Sequence, residues 1–280
     1  MATVPMQPLL GVFVDPEAQV YECEQAQLIA DDLGLALLQQ EPREYPPEHF
    51  VLHYTGDTLS LCATGRNVAG PICVNFTDGS LAHRRHYGGG KSQLIAKAVG
   101  IKDSLRPHVL DVTAGLGQDG FVLAALGCSV QWVERSAVVH ALLDNGIKRA
   151  QRHSVEHGDT TLQQIMAGLS LVNNNGIDYL ASLASPADVI YLDPMFPERT
   201  KKAKVNKAMQ AFHAIVGDDV DAGQLLQCAL QKARYRVVIK RPRKAPGLHQ
   251  QYPQLTLPEP GLVLTGKSAR YDIYPLKKIQ

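Results

Sequence analysis

Apolar residues come in short runs along this chain, and the rhythm of those runs changes after about residue 80. Early on, Gly11–Val14 (GVFV) reads as a strand and Gln19–Leu33 as a helix, with Leu28, Ile29 and Leu33 on its inner side. Phe50–Tyr54 and Thr58–Ala63 read as strands joined at Thr55-Gly56-Asp57, a hairpin-turn composition. Ile72–Phe76 is a further apolar alternation, and Pro42, Pro46 and Pro47 mark a loop between these parts. The pattern predicts a small α+β domain over residues 1–80.

The rest reads as strands alternating with helices. Leu94–Val99 predicts a helix ended by Gly100, Gly120–Leu126 a helix ended by Gly127, and Ser136–His153 and Val220–Lys232 two longer ones. Between them lie strand signals at Val109–Val112, Ser129–Val133, Leu169–Val172, Val189–Leu192 and Arg236–Lys240. Such alternation means βαβ units and a mostly parallel sheet, so residues 81–280 are expected to form an α/β domain. Leu262–Thr265 and Tyr271–Tyr274, flanking Gly266-Lys267-Ser268, predict a closing antiparallel hairpin.

Composition narrows the class. With 45% hydrophobic and 20% charged residues among 280, the chain can bury a core, which excludes a disordered protein. No apolar run approaches the roughly 20 residues needed to cross a bilayer. The start, MATVPMQPLLGVFVDPE, lacks the basic-then-apolar order of a signal peptide. Cys23, Cys62, Cys73, Cys128 and Cys228 form no C-x-x-C, and each is expected to pack as a small hydrophobe in a reducing, cytoplasmic setting. Charge is uneven. Residues 1–65 carry ten acidic side chains against Arg43 alone, and residues 198–244 carry twelve basic against four acidic. That asymmetry suggests a polyanion partner for one face.

In a parallel sheet, ligands bind beyond the carboxyl ends of the strands, so the residues just after each strand carry the chemistry. The first set is Asp111–Gly120, with Gly115 and Gly117 allowing close backbone approach. Asp111 and Asp119 bracket this turn, and carboxylates suit a cationic, amino-acid-bearing ligand such as S-adenosylmethionine better than a pyrophosphate. Glu134, at the end of the next strand, is placed to accept hydrogen bonds from ribose hydroxyls. Asn175 and Gly176, in a turn after the third strand, are candidates for an adenine edge. Asp193-Pro194-Met195-Phe196 resembles the (D/N)-P-P-(Y/F) motif of methyltransferases acting on exocyclic base amines. Such an amine has its lone pair delocalised into the ring. The Asp193 carboxylate and the Pro194 carbonyl can accept both its N–H groups and aim the lone pair at a methyl, while Phe196 stacks on an unstacked base. Met195 stands where the motif usually has a second proline.

Taken together, Asp111–Asp119, Glu134-Arg135, Tyr191–Pro197 (YLDPMFP) and Val237–Pro242 (VVIKRP) resemble the ribosomal RNA small subunit methyltransferase J family. Ala82-His83-Arg84-Arg85, Gly88–Lys91 and Ala96–Gly100 also match, so the resemblance runs from about residue 70 to the end. It implies a Rossmann-like class I S-adenosylmethionine-dependent fold and methylation of a guanine N2 amine in 16S rRNA, alone or in the small subunit. By carry-over, cofactor contacts fall at Gln118, Asp119, Glu134, Arg135, Asn175, Gly176 and Asp193, with Gln118 standing where the family commonly has a basic residue.

Lys201, Lys202, Lys240 and Arg241, with Arg84, Arg85 and Lys91, are expected to grip RNA phosphates. Gly88–Ser92 is no phosphate loop, because the required leading glycine falls on Arg85. His153 and His157 read as a solvated helix end; methyl transfer needs no metal. Adenine N6, a DNA target, or a non-catalytic RNA-binding or ribosome-assembly factor on the same fold remain alternatives at this level.

Overall fold

The computed structural model describes residues 9–47, 49–66, 68–78, 93–195, 215–217 and 219–279. It divides into two compact units. One comprises Met1–Asn75, Ala137–Arg149 and Met195–Asp218, and the other Phe76–Ser136, Ala150–Pro194 and Asp219–Gln280.

The first unit holds a four-stranded sheet, with β1 (Leu9–Val14), β2 (Leu37–Leu38), β3 (Phe50–Thr55) and β4 (Thr58–Ala63) ordered β2-β1-β3-β4. β1 runs parallel to β2 and β3, and β3 and β4 form the expected hairpin, closed at Thr55 opposite Thr58. Helix α1 (Val20–Leu33) lies between β1 and β2 in sequence. Its inner face is not the one expected. Ala26 and Ala30, one turn apart, are fully buried, while Leu28 is 56% exposed. Two alanines let a helix backbone come close to a sheet, which a leucine face does not. Ile72, Val74 and Phe76 alternate into the interior, but only Ile72 makes a bridge, to Leu61. This alternation turns Cys73 to solvent, and Cys23 lies on the outer side of α1. Of the five cysteines only Cys128 is fully buried, so the expectation that all would pack inside is corrected.

The second unit is built on a seven-stranded sheet. Its members are β5 (Val109–Asp111), β6 (Val130–Glu134), β7 (Leu169–Asn173), β8 (Ala187–Leu192), β9 (Ala233–Pro242), β10 (Leu262–Thr265) and β11 (Ala269–Pro275). The order is β10-β11-β9-β8-β5-β6-β7. β5 through β9 are parallel, and β11 runs antiparallel to both β9 and β10. The chain winds outward from β5 through β6 to β7, then returns to place β8 on the other side of β5. The switch point is therefore between β5 and β8. The central strands β5, β6 and β8 are apolar along most of their length, as a sheet covered on both faces requires, and Leu110, Trp132, Val133, Ile190 and Tyr191 are buried, as are Val238 and Ile239 of β9.

Helices α2 (Leu94–Val99), α3 (Gln118–Ala125), α4 (Ala137–Glu156) and α7 (Ala222–Lys232) match sequence expectations within a few residues. Helices α5 (Thr160–Ala167), α6 (Gly176–Ser182) and α8 (Leu248–Gln251) were not expected. All are short, and α5 and α6 are started by Asp159 and Asn175 side-chain caps rather than by a long apolar stripe. No helix among the described residues is long and apolar enough to cross a membrane.

One contact fixes α3 against the sheet. A Cβ placed on Gly120 would lie 1.9 Å from Nε1 of Trp132, the only tryptophan of the chain, so the first turn of α3 rests directly on the indole. Phe76 and Phe121 stack at 4.7 Å beside it. Gly120→Ala should lower the stability of the protein by about 1–3 kcal/mol, because a packed indole cannot yield that space. Urea unfolding followed by Trp132 fluorescence measures this; an unchanged midpoint would show that the contact is not tight.

Candidate functional site

The site grows from the carboxyl end of β5. After Asp111 the chain makes the turn 112–117, in which Gly115 and Gly117 have φ of 53° and 72°. This left-handed backbone is open to glycine and strained for other residues. Gly117 caps α3, whose first turn contains Gln118 and Asp119. The turn is stitched to both neighbouring strands by the Val112 N–H to the Tyr191 carbonyl and the Ala114 N–H to the Val133 carbonyl, each at 3.2 Å. Asp111 does not bracket the turn from outside. It is buried beneath it, and its Oδ1 accepts the Thr113 N–H at 3.1 Å. Burial pushes its carboxyl up to about 8, with Asp119, Asp193 and Glu134 adding to the rise and the Thr113 N–H opposing it.

Glu134, at the end of β6, is also buried. Its two oxygens accept different backbone N–H groups: Oε2 that of Gly115 and Oε1 that of Ser136, both at 2.8 Å. Burial raises its carboxyl above the ordinary value despite these two donors. Arg135 turns away from the carboxylate before it and pairs with Asp219 and, at 3.3 Å, with Asp221. At the end of β7 the Asn173 amide donates to the Glu134 carbonyl at 2.8 Å. Asn175 Oδ1 accepts the Ile177 N–H at 2.8 Å as the cap of α6, so this oxygen is already engaged at the helix start. Gly176 packs against β5: a Cβ there would lie 2.9 Å from the Val112 carbonyl.

Asp193 follows β8, and its backbone N–H donates to Thr113 Oγ1 at 2.6 Å. Asp193 and Glu134 therefore bond the same short loop, two residues apart, across the switch point. The Asp193 carboxylate receives a second constraint. Lys240 Nζ lies 2.8 Å from its Oδ2 and 2.7 Å from Oδ2 of Asp119. The same Asp119 oxygen accepts the Tyr191 hydroxyl at 2.6 Å. Burial pushes the Asp193 carboxyl up to about 6; Lys240 pulls it down and Asp119 pushes it up. Burial alone would lower the Lys240 ammonium, but Asp193 and Asp119 together raise it above the ordinary lysine value.

Several expected contacts are thus relocated. Lys240 and Arg241 lie within β9 and not beyond it, so neither stands ready for a phosphate. Lys240 is committed to two carboxylates, and Arg241 is 1% exposed with Nη2 on Gln251 Oε1 at 2.7 Å. Other members of the basic segment also have partners, although Arg234 stays exposed. Lys232 donates to the Ala181 and Leu183 carbonyls, Arg234 pairs with Asp188, and Arg236 donates to the Ala98 carbonyl. Arg243 and Lys244 are exposed. Pro194 is buried directly after Asp193. Phe196, Arg84, Arg85, Lys91, Lys201 and Lys202 lie outside the described residues. His153 and His157 stack at 4.0 Å near the end of α4, and no cluster able to hold a metal occurs among the described residues. Sequence reasoning missed Thr113, Tyr191 and the true place of Lys240. Register holds the signal: Leu192 pairs with Ile239, so the next residue on each strand is Asp193 and Lys240.

Known proteins are similar to this chain. A family model of SAM-dependent methyltransferases matches residues 36–276. The ribosomal RNA small subunit methyltransferase J of Cellvibrio japonicus is 49% identical over 258 residues, covering 91% of this chain and 94% of that protein. The protein of the same name from Pseudomonas aeruginosa is 46% identical over 257 residues, covering 91% and 92%. The crystal structure of a SAM-dependent methyltransferase from Neisseria gonorrhoeae superposes with a TM-score of 0.68 at 31% identity, covering 94% of this chain and 95% of its own. The α/β sheet with its switch point, the glycine turn beneath it and these similarities have one meaning: this chain belongs to the ribosomal RNA small subunit methyltransferase J family of SAM-dependent methyltransferases.

Proposed function

We propose that this protein methylates the exocyclic N2 amine of a guanosine in 16S ribosomal RNA, using S-adenosylmethionine, in the cytoplasm. The observation that carries this reading is the convergence of Glu134 and Asp193 on the loop Thr113–Gly115 at the β5/β8 switch point. The donor set suits the cofactor. A sharp glycine turn leads into α3, and Asp119 and Glu134 flank it as acceptors for an ammonium and for ribose hydroxyls. Each Glu134 oxygen spends one lone pair on an N–H and keeps another. Gln118 and the backbone around Asn175 and Gly176 complete the expected contacts. When bound, S-adenosylmethionine supplies an electrophilic methyl on its sulfonium.

The chain's own residues do the rest by positioning. Asp193 and the Pro194 carbonyl accept the two N–H groups of the amine, which turns its lone pair toward the methyl. The purine is drawn out of its stack, with Phe196 as the expected platform. The surplus proton passes to Asp193 or to water. The ionised carboxylate is the stronger acceptor and alone can take up the surplus proton, so activity should fall as pH drops through about 6. The RNA is held by Lys201, Lys202 and the basic residues near 84–91, with exposed Arg243 and Lys244.

Asp193→Ala should lower methyl transfer by about 10²–10³-fold while the fold survives. The assay uses labelled cofactor and small subunits from a deletion strain, followed by nucleoside mass spectrometry. N2-methylguanosine is expected; N6-methyladenosine, or no difference between strains, overturns the assignment. Reversing charge at both Lys201 and Lys202 should flatten the salt dependence of RNA binding by about one to two units of slope. An unchanged slope would remove these lysines from the RNA surface.

A further inference from the structure

We propose that Lys240 is a positioning residue for methyl transfer: its ammonium, bonded at once to Asp193 and Asp119, holds the amine-binding carboxylate in place and ties it to the start of α3. This rests on the reading above, and it gives Lys240 a different task from the phosphate contact that the basic segment suggests.

The geometry leaves little alternative. Lys240 sits opposite Tyr271 of β11 on one side and beside the end of β8 on the other, so its stem has a strand on each flank. With its head 2.8 Å from Asp193 Oδ2, Oδ1 is left as the acceptor for the target amine. With Asp119 Oδ2 bonded to both Lys240 and Tyr191, the first turn of α3 and the end of β8 form one hydrogen-bonded unit. The charged and titratable groups facing this unit are Asp111 from β5, Glu134 from β6, Tyr191 from β8, Tyr271 from β11, Asp119 from α3 and Asp219 ahead of α7. Asp119 and Asp219 push the Asp193 carboxyl up and Lys240 opposes them, so removing the ammonium leaves Asp193 beside like charge with no counter-ion. An aspartate in that setting holds its proton to higher pH; it then accepts an N–H more weakly and cannot take up the surplus proton.

The sign follows from linkage. The folded Asp193 carboxyl lies above its ordinary value of 3.8, so ionising it costs stability, a cost that builds as pH rises from that value to about 6 and is complete above it. Lys240 stays protonated throughout that range and reduces the cost. Lys240→Gln should therefore destabilise the protein more at about pH 8 than at about pH 5, and adding Asp193→Asn should shrink that difference. Thermal unfolding of the four proteins reads this without any activity. In the methyl-transfer assay, Lys240→Gln should lower kcat about 100-fold with little change in the KM for small subunits. It should also move the acid limb of the rate profile up by about one pH unit. Lys240→Arg, which keeps the charge, should recover most of the rate.

Equal destabilisation at both pH values, or an acid limb that stays in place, overturns the proposal. So does a loss confined to KM with an altered salt slope, which is the signature of a phosphate contact. If Lys240→Gln does not fold, Lys240→Met, which retains the apolar stem, carries the same comparisons. Absence of methyl transfer by the unmodified protein would defeat the functional reading, while the unfolding experiment would still decide whether Lys240 governs Asp193.

Discussion

A single ammonium sets the electrostatic balance at the carboxyl edge of this sheet. Asp111, Asp119, Glu134 and Asp193 are gathered there by three adjacent strands and the start of one helix, and like charges in a poorly solvated place repel strongly. The structure resolves the conflict in three ways. Asp111 is placed deepest and remains protonated up to about 8. Glu134 is met by two backbone N–H groups, one from the glycine turn and one from its own loop. Asp119 and Asp193 share Lys240. Only the last solution joins two carboxylates, and so it alone makes the position of one depend on the other. A buried ion pair of this kind is weak evidence of stability, because desolvation offsets much of the attraction. Its value here lies in geometry.

That geometry is a consequence of strand register. β8 and β9 pair Leu192 with Ile239, and β5 and β8 pair Asp111 with Tyr191. A slip of one residue in β9 would turn Lys240 to the opposite face and bring Arg241 in its place. Register is in turn held by what the strands bury. Val237 and Val238 are fully enclosed, and so are Ile190 and Tyr191 opposite them. The apolar centre of the sheet therefore sets where the polar residues at its edge can be. Gly120 and Trp132 do the same for α3, since the helix can start where it does only if its third residue lacks a side chain.

How much of this could be read from the sequence differs between elements. The parallel strands and the longer helices were legible because each buries a long apolar pattern, and the four strand-end clusters were legible because ligand sites recur there. The hairpin at Gly56 and the closing pair β10 and β11 were legible from their turn residues. The inner face of α1 was not, because hydrophobicity favoured Leu28 whereas close packing favoured Ala26 and Ala30. Helices α5 and α6 were hidden by their length, their starts being set by local caps. The roles of Asn175 and Arg135 were hidden for a related reason. Each has a partner nearby, Ile177 or Asp221, that takes up the group expected to meet a ligand.

Lys240 and Arg241 show a more general limit. Charge counted along residues 198–244 is strongly positive, and that sum pointed to an RNA-binding edge. Yet Lys232, Arg234, Arg236, Lys240 and Arg241 each have a carbonyl, a carboxylate or an amide of the same unit as partner. A cation already desolvated and bonded has little left to offer a phosphate, whose recognition depends on releasing counterions from an accessible surface. Strands make this outcome common, since alternate residues of an internal strand must face the interior whatever their charge. Of the basic residues of β9, Lys240 therefore belongs to the architecture of the site and Arg241 to that of its own unit. Any attraction for RNA must come from cations on loops beyond the strand ends, where no neighbouring strand competes for them.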